Sequence, residues 1–270
     1  LTLEASSKTQ IIAKATPNEA ASGDTVGIGA SVALNIGDNV VRAEIEGDTT
    51  DPVAAGAIVT NAADITLSAK GSHKMTTQAK GGTEGGVAIT PVVAISMANN
   101  DTLAQIGTAS IALSLTGALN VSADHSSTTS TKAEGDTTST DTAAIGASLA
   151  LTLVGDRAVA ATARSIAAGG AINFEAKTSG TSKSDAKASA KGGRTNSERS
   201  PADGDPETPD TVDEEAQSQR TGADDRAASG GARGSGDRGD TPSASSSDGP
   251  VTVAAAIGIN LTDSTATASI

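Results

Sequence analysis

Histidine is the first residue to weigh for acid–base or metal chemistry, and the chain has two, His73 and His125. Counted from a motif that recurs along the chain (below), they sit at unequal offsets, +8 and +6, so they are not expected to stack as a ligand pair. Both lie in Ser-, Thr- and Lys-rich stretches, which reads as a solvent-facing role. Ser31 and Ser148 each end a Gly-Ala-Ser triplet that lacks the second glycine of a nucleophile elbow. They also occupy equivalent repeat positions, which a nucleophile does not need, so they are expected to be ladder residues. Gly81-Gly-Thr-Glu-Gly-Gly86 lacks the Lys-Ser/Thr of a phosphate loop and is expected to be a turn. No catalytic set, cofactor motif or metal set is expected anywhere in the chain.

Between residues 193 and 250 three other features invite chemistry. Arg238, Gly239 and Asp240 form the tripeptide that integrins recognise, a candidate receptor-binding set in an exposed loop. Against that, a segment rich in these three residues generates the tripeptide by composition. The acids from Asp203 to Glu215 are spaced for no EF-hand, with Thr208 where the tight-turn glycine belongs, and read as a solvated acidic run. Asp213 to Arg220 has no apolar stripe and is expected to be coil. The Asn-x-Ser/Thr sequons at Asn100, Asn120 and Asn260 are expected to mark turns between strands.

What positions these residues is an unusual composition. The chain has 270 residues, with no Cys, Trp or Tyr and a single Phe. Hydrophobic residues make up 36%, many of them Ala, so few large side chains can anchor a core. A compact enzyme is not expected. The formal net charge of −13 opposes binding to nucleic acid, whose affinity rests on clustered Lys and Arg. The longest apolar run, residues 87–98, has 12 residues and contains Pro91, too short to span a bilayer. The first residue is Leu1, and the chain is expected to be a segment of something longer.

Self-comparison gives the organisation. Val26-Gly-Ile-Gly-Ala-Ser-Val-Ala-Leu-Asn35 aligns with segments beginning at Val87, Ala143 and Val251, which places Ile28, Ile89, Ile145 and Val253 in register. A second motif recurs at Leu1–Ala5, Ile65–Ala69, Leu119–Ala123 and Ile172–Ala176, with a further Ala ten residues on in each copy. In a third, weaker strand Ala43 and Ile45 match Ala104 and Ile106, then Ala268 and Ile270. In the first motif the larger aliphatics (Val26, Ile28, Val32, Leu34) alternate with Gly, Ser and Ala. Period two means a strand with one core face, and the expectation is large residues inside, small residues outside. Pro91 removes a ladder N–H and should sit at an irregular rung.

Units of about 55 residues that cannot close a core alone predict an all-β, repetitive parallel β-helix (β-solenoid) with two or three coils per unit. The competing fold is an antiparallel β-sandwich. The expected organisation is solenoid repeats over 1–192, a disordered insertion over 193–250 and a continuation of the solenoid over 251–270. From 194 to 250 there are 13 acids and 6 bases, all Arg, with one large aliphatic, Val212, a composition that cannot offset the entropy of ordering.

The cluster (V/A)xIGAS(V/L)AL(N/T), followed by N(N/D)xxxAxI, (I/L)(T/N)(L/V/F)xA and a Lys-Gly-Gly exit, resembles the repeats of giant secreted bacterial adhesins of the filamentous-haemagglutinin-like and leukotoxin-like type. The resemblance covers 1–192 and 251–270. It implies a non-catalytic stalk or contact segment of an extracellular filamentous adhesin, part of a longer exported protein at the bacterial surface. Its implied partners are a host-cell or matrix receptor or neighbouring copies of itself, without nucleic acid or direct membrane insertion. Two other readings are a passenger segment of a secreted toxin and a β-helical polysaccharide-active enzyme. The missing Trp and Tyr remove the aromatic platforms that sugar-cleaving sites use. A Thr-rich ice-binding surface is broken by Lys, Gln and Met in the aligned stretches.

Overall fold

The computed structural model of the chain describes residues 1–45, 62–109, 112–192, 243–247 and 251–270. These residues are all-β, with no helix among them. The strands are β1 (Thr2–Ala15), β2 (Ala21–Ile28), β3 (Ser31–Ile45), β4 (Ile65–Ile106), β5 (Leu113–Leu115), β6 (Leu119–Thr162), β7 (Ile166–Ala168), β8 (Ile172–Lys191), β9 (Ser243–Ser247) and β10 (Val251–Ser269). Eight of them form one sheet, in which β1, β4, β6 and β8 run side by side while β3 and β10 flank β4 and β6. Every strand pairing among the described residues is parallel, so the antiparallel sandwich is overturned.

Parallel neighbours cannot be joined by hairpins, and here the connection between neighbours is a whole repeat unit. Thr66 pairs with Thr2 on one side and Asn120 on the other, and Asn120 pairs with Asn173. The first motif stacks the same way, Ile28 on Ile89 on Ile145 on Val253. Each unit therefore supplies one rung, a number that the repeat spacing had left open between two and three coils.

Within a rung the chain runs out along one leg and back along a second. In the second rung, leg 65–79 faces leg 87–106, and the Ser96 hydroxyl donates across to Thr77 Oγ1 at 2.7 Å. The reversal falls at the glycine run 81–86, which stays extended within β4 instead of forming a separate turn. A Cβ on Gly85 would lie 2.7 Å from the Gly23 carbonyl oxygen, so glycine is what lets the neighbouring rung approach there. The register slips at this point, between Gly85 and Val87.

The inward faces differ from the expected ones. Ala33, Ala88, Val92, Ala94 and Ala150 are buried, whereas Val26, Ile28, Val32 and Leu34 are exposed, Val32 by 65%. Small residues are inside and large ones outside. The opposite leg gives the reason, because its inward residues are also small: Thr77 and Ala79 stand across from Ser96 and Ala94. Two layers of Ala, Ser and Thr leave a slot too thin for Ile or Leu. Most of the buried large aliphatics gather at the end where the legs part, around Ile65, Leu67, Ile106, Leu119 and Val121, with a smaller group of Met75 and Val154 along the slot, where Gly37 and Ala98 on the returning leg leave room. There β5 pairs with β7 on a third side, and Leu113 and Leu115 close the core.

Pro91 lies in register against Ala147. The irregularity falls in the first rung, where β2 ends at Ile28 and β3 begins at Ser31 opposite Val92, leaving the gap at 29–30 beside the proline. Residues 243–247, within the stretch expected to be disordered, form β9 and pair with Lys187–Lys191.

Candidate functional site

Midway along the slot the inward side chains turn polar. His73 and His125 are both buried, 6% and 0% exposed, with ring centroids 5.3 Å apart. The solvent-facing expectation for them is thus corrected. Their offsets of +8 and +6 share parity, which puts both rings inside, on adjacent rungs and two residues apart. Gly71 stacks on His125 and makes room for the pair: a Cβ there would meet Thr102 Oγ1 at 2.5 Å and both imidazoles at 3.0 Å.

Asp156 is the hub. It is 3% exposed and accepts from Asn100 Nδ2 at 2.8 Å, from His125 Nε2 at 3.1 Å and from the Ser127 hydroxyl at 2.5 Å. Asn39 donates in turn to Asn100 Oδ1 at 2.8 Å, so Asn39, Asn100 and Asp156 form an amide ladder that ends on a carboxylate. On the far side a Cβ on Gly180 would lie 2.8 Å from Asp156 Oδ2, so this neighbour too must be glycine. Thr102 Oγ1 lies 3.1 Å from His125 Nδ1, and Thr9 Oγ1 lies 2.7 Å from His73 Nδ1. His73 Nε2 is buried with no hydrogen-bond partner.

The electrostatics follow from burial and partners. For Asp156, burial pushes the carboxyl pKa up, but hydrogen bonds from His125, Asn100 and Ser127 outweigh it and hold the value below the ordinary range. For His73, burial is the main cause of a lowered pKa, reinforced by the nearby His125 and opposed by Asp156. His73 therefore favours its neutral form.

Ser, His and Asp stand together here, but not as a nucleophilic triad. The serine hydroxyl donates to the carboxylate, no imidazole stands ready to take its proton, and His125 is sealed from solvent. The arrangement is a buried polar core, two members of which, His73 and Ser127, also line a pocket of about 430 Å³. Beside it a second network crosses the slot, as Thr152 donates to Thr131, Thr131 to Ser96 and Ser96 to Thr77, over distances of 2.6–2.7 Å. Such chains polarise one another and fix the two legs in one alignment.

The other expected sites place as follows. Ser31 and Ser148 hold the expected ladder positions, both in register with Val92, and each also ties leg to leg, Ser31 donating to the Ala15 carbonyl at 2.9 Å and Ser148 to that of Lys187 at 2.6 Å. Asn100, Asn120 and Asn260 lie within strands, not in turns. Arg238, Gly239 and Asp240, with the acids from Asp203 to Glu215, lie outside the described residues. Among the described residues no three His, Asp or Glu side chains gather as a metal-ligand set.

The outer surfaces of the two legs contrast. Leg 65–79 presents Lys70, Ser72, Lys74 and Gln78, whereas the returning leg presents aliphatics. At the end of that aliphatic face runs a groove of about 500 Å³, with Ile36, Met97, Leu153 and Leu261 along one wall and Asp38, Asn99, Gly155 and Asp263 along the other. Comparison with protein-family models, curated proteins and solved structures finds no match for this chain.

Proposed function

We propose that the chain is a β-solenoid segment serving as a non-catalytic stalk or contact element of an extracellular filamentous adhesin. The observation that carries the solenoid part is the pairing register, in which each unit of about 55 residues stacks on the next with like residues superposed. Such a stack transmits length and presents repeated outer rows, as a spacer requires. The buried Asp156 cluster supports the non-catalytic part, because its carboxylate hub is spent on internal bonds. The extracellular adhesin assignment rests on the repeat resemblance alone.

Cell and matrix adhesion of the intact chain, compared with a chain lacking 194–249, tests the reading. Circular dichroism checks that both remain β-rich. A spacer predicts that neither chain adheres. Adhesion lost with the deletion would move recognition to the segment holding Arg238, Gly239 and Asp240. Adhesion unchanged by it would make the sheet surface the contact element.

A further inference from the structure

We infer that the outward face of the returning leg, residues 26–36 and their stacked counterparts, is a sheet-to-sheet interface between two copies of this chain. The inference rests on the sheet geometry alone and stands whether or not the segment belongs to an adhesin. Six rows of four outward positions make up this face, and all 24 are apolar. The last row, Ile36, Met97, Leu153 and Leu261, is typical. Ile36 is 64% exposed, Met97 41% and Leu261 57%. Charge returns only beyond this row, at Asp38 and Asp263.

Area sets the kind of occupant. Four rungs about 4.8 Å apart and ten residues at about 3.3 Å give a flat footprint of about 600 Å², at the top of what a monomer ordinarily exposes as one apolar patch. Two such faces bury about 1,200 Å² together, the lower bound of a specific stable interface.

Shape points to a second copy. The third row, Ala30, Pro91, Ala147 and Ala255, is a shallow valley between two aliphatic ridges. A copy related by a twofold axis has the same ridge and valley at the same rung spacing, so each can seat a ridge in the other's valley at ordinary sheet-packing distance. The net charge of −13 opposes association at long range, so salt should strengthen the dimer.

The test uses the full chain in sedimentation at about 50 µM, in low and high salt. A dimer strengthened by salt is expected. The double variant Ile95→Lys, Leu151→Lys, on the two central rungs of the face, should dissociate about 100-fold more readily with an unchanged β-type circular dichroism spectrum. A wild type that stays monomeric in high salt overturns the inference. So does a folded double variant that still dimerises, which would place association on the open strand edges. A second arm does not depend on the variant's folding, because the chain has no cysteine. Ala147→Cys should be bridged between copies by a bis-maleimide that spans about 10 Å, the distance between packed sheets, and Thr128→Cys, on the opposite leg, should not; the reverse pattern overturns the inference.

Discussion

Asp156 shows most plainly how single residues hold the slot together. Three donors converge on its carboxylate, so removing it leaves His125 Nε2, Asn100 Nδ2 and the Ser127 hydroxyl without their acceptor in the interior. Asp156→Ala should cost about 3 kcal/mol or more, and Asp156→Asn, which keeps the shape, less. Denaturant unfolding checks this, and a loss under about 0.5 kcal/mol for the alanine variant would contradict it. Acid should act through the same residues. Both His73 and Asp156 have lowered pKa values in the fold, so the unfolded chain binds more protons and stability falls with pH. The loss should begin as pH drops below about 6.5 for His73 and deepen below about 3.9 for Asp156. In His73→Asn the upper part of the loss should flatten, and a denaturation midpoint that rises on acidification would refute the sign. Parity already hinted at this cluster, since His73 and His125 share it. The acceptor did not announce itself, because Asp156 comes from the returning leg, whose alignment with the first leg is a tertiary fact.

At the scale of the element, the repeated strands were legible in detail. The alignment of Ile28, Ile89, Ile145 and Val253 is the observed stacking, as is that of Ala15, Ala79, Ala133 and Ala186. Which face is buried was not legible. Period two separates two faces, but only the layer opposite decides which one is inside. Here that layer is also built of small residues, so the slot is thin and the large aliphatics face out. Two substitutions separate the alternatives, measured by denaturant unfolding below the concentration at which copies associate. Ala94→Leu, inward, should overpack the slot and cost about 1–3 kcal/mol. Val32→Ala, outward, should cost less than about 0.5 kcal/mol. The opposite order would restore the conventional arrangement with large residues inside.

At the scale of the whole molecule, the described strands pair in parallel with each repeat unit in register on the next. Spacing alone suggested a repeat architecture but left the number of coils open, because about 55 residues can be wound tightly or laid out as two long legs. The polar and hydroxyl networks between those legs favour the long layout, and the parallel register of one unit per rung defines it. That register is the central claim, and one cross-link tests it. Lys74 and Thr128 face outward on adjacent rungs in register, and parallel neighbours about 4.8 Å apart fall within the Cα separation a disulfide bridges. In this cysteine-free chain the pair Lys74→Cys, Thr128→Cys should oxidise within a single molecule, while Lys74→Cys, Asp101→Cys, a partner half a unit along the chain, should not. Closure of the second pair in place of the first would contradict the account and make each unit two coils.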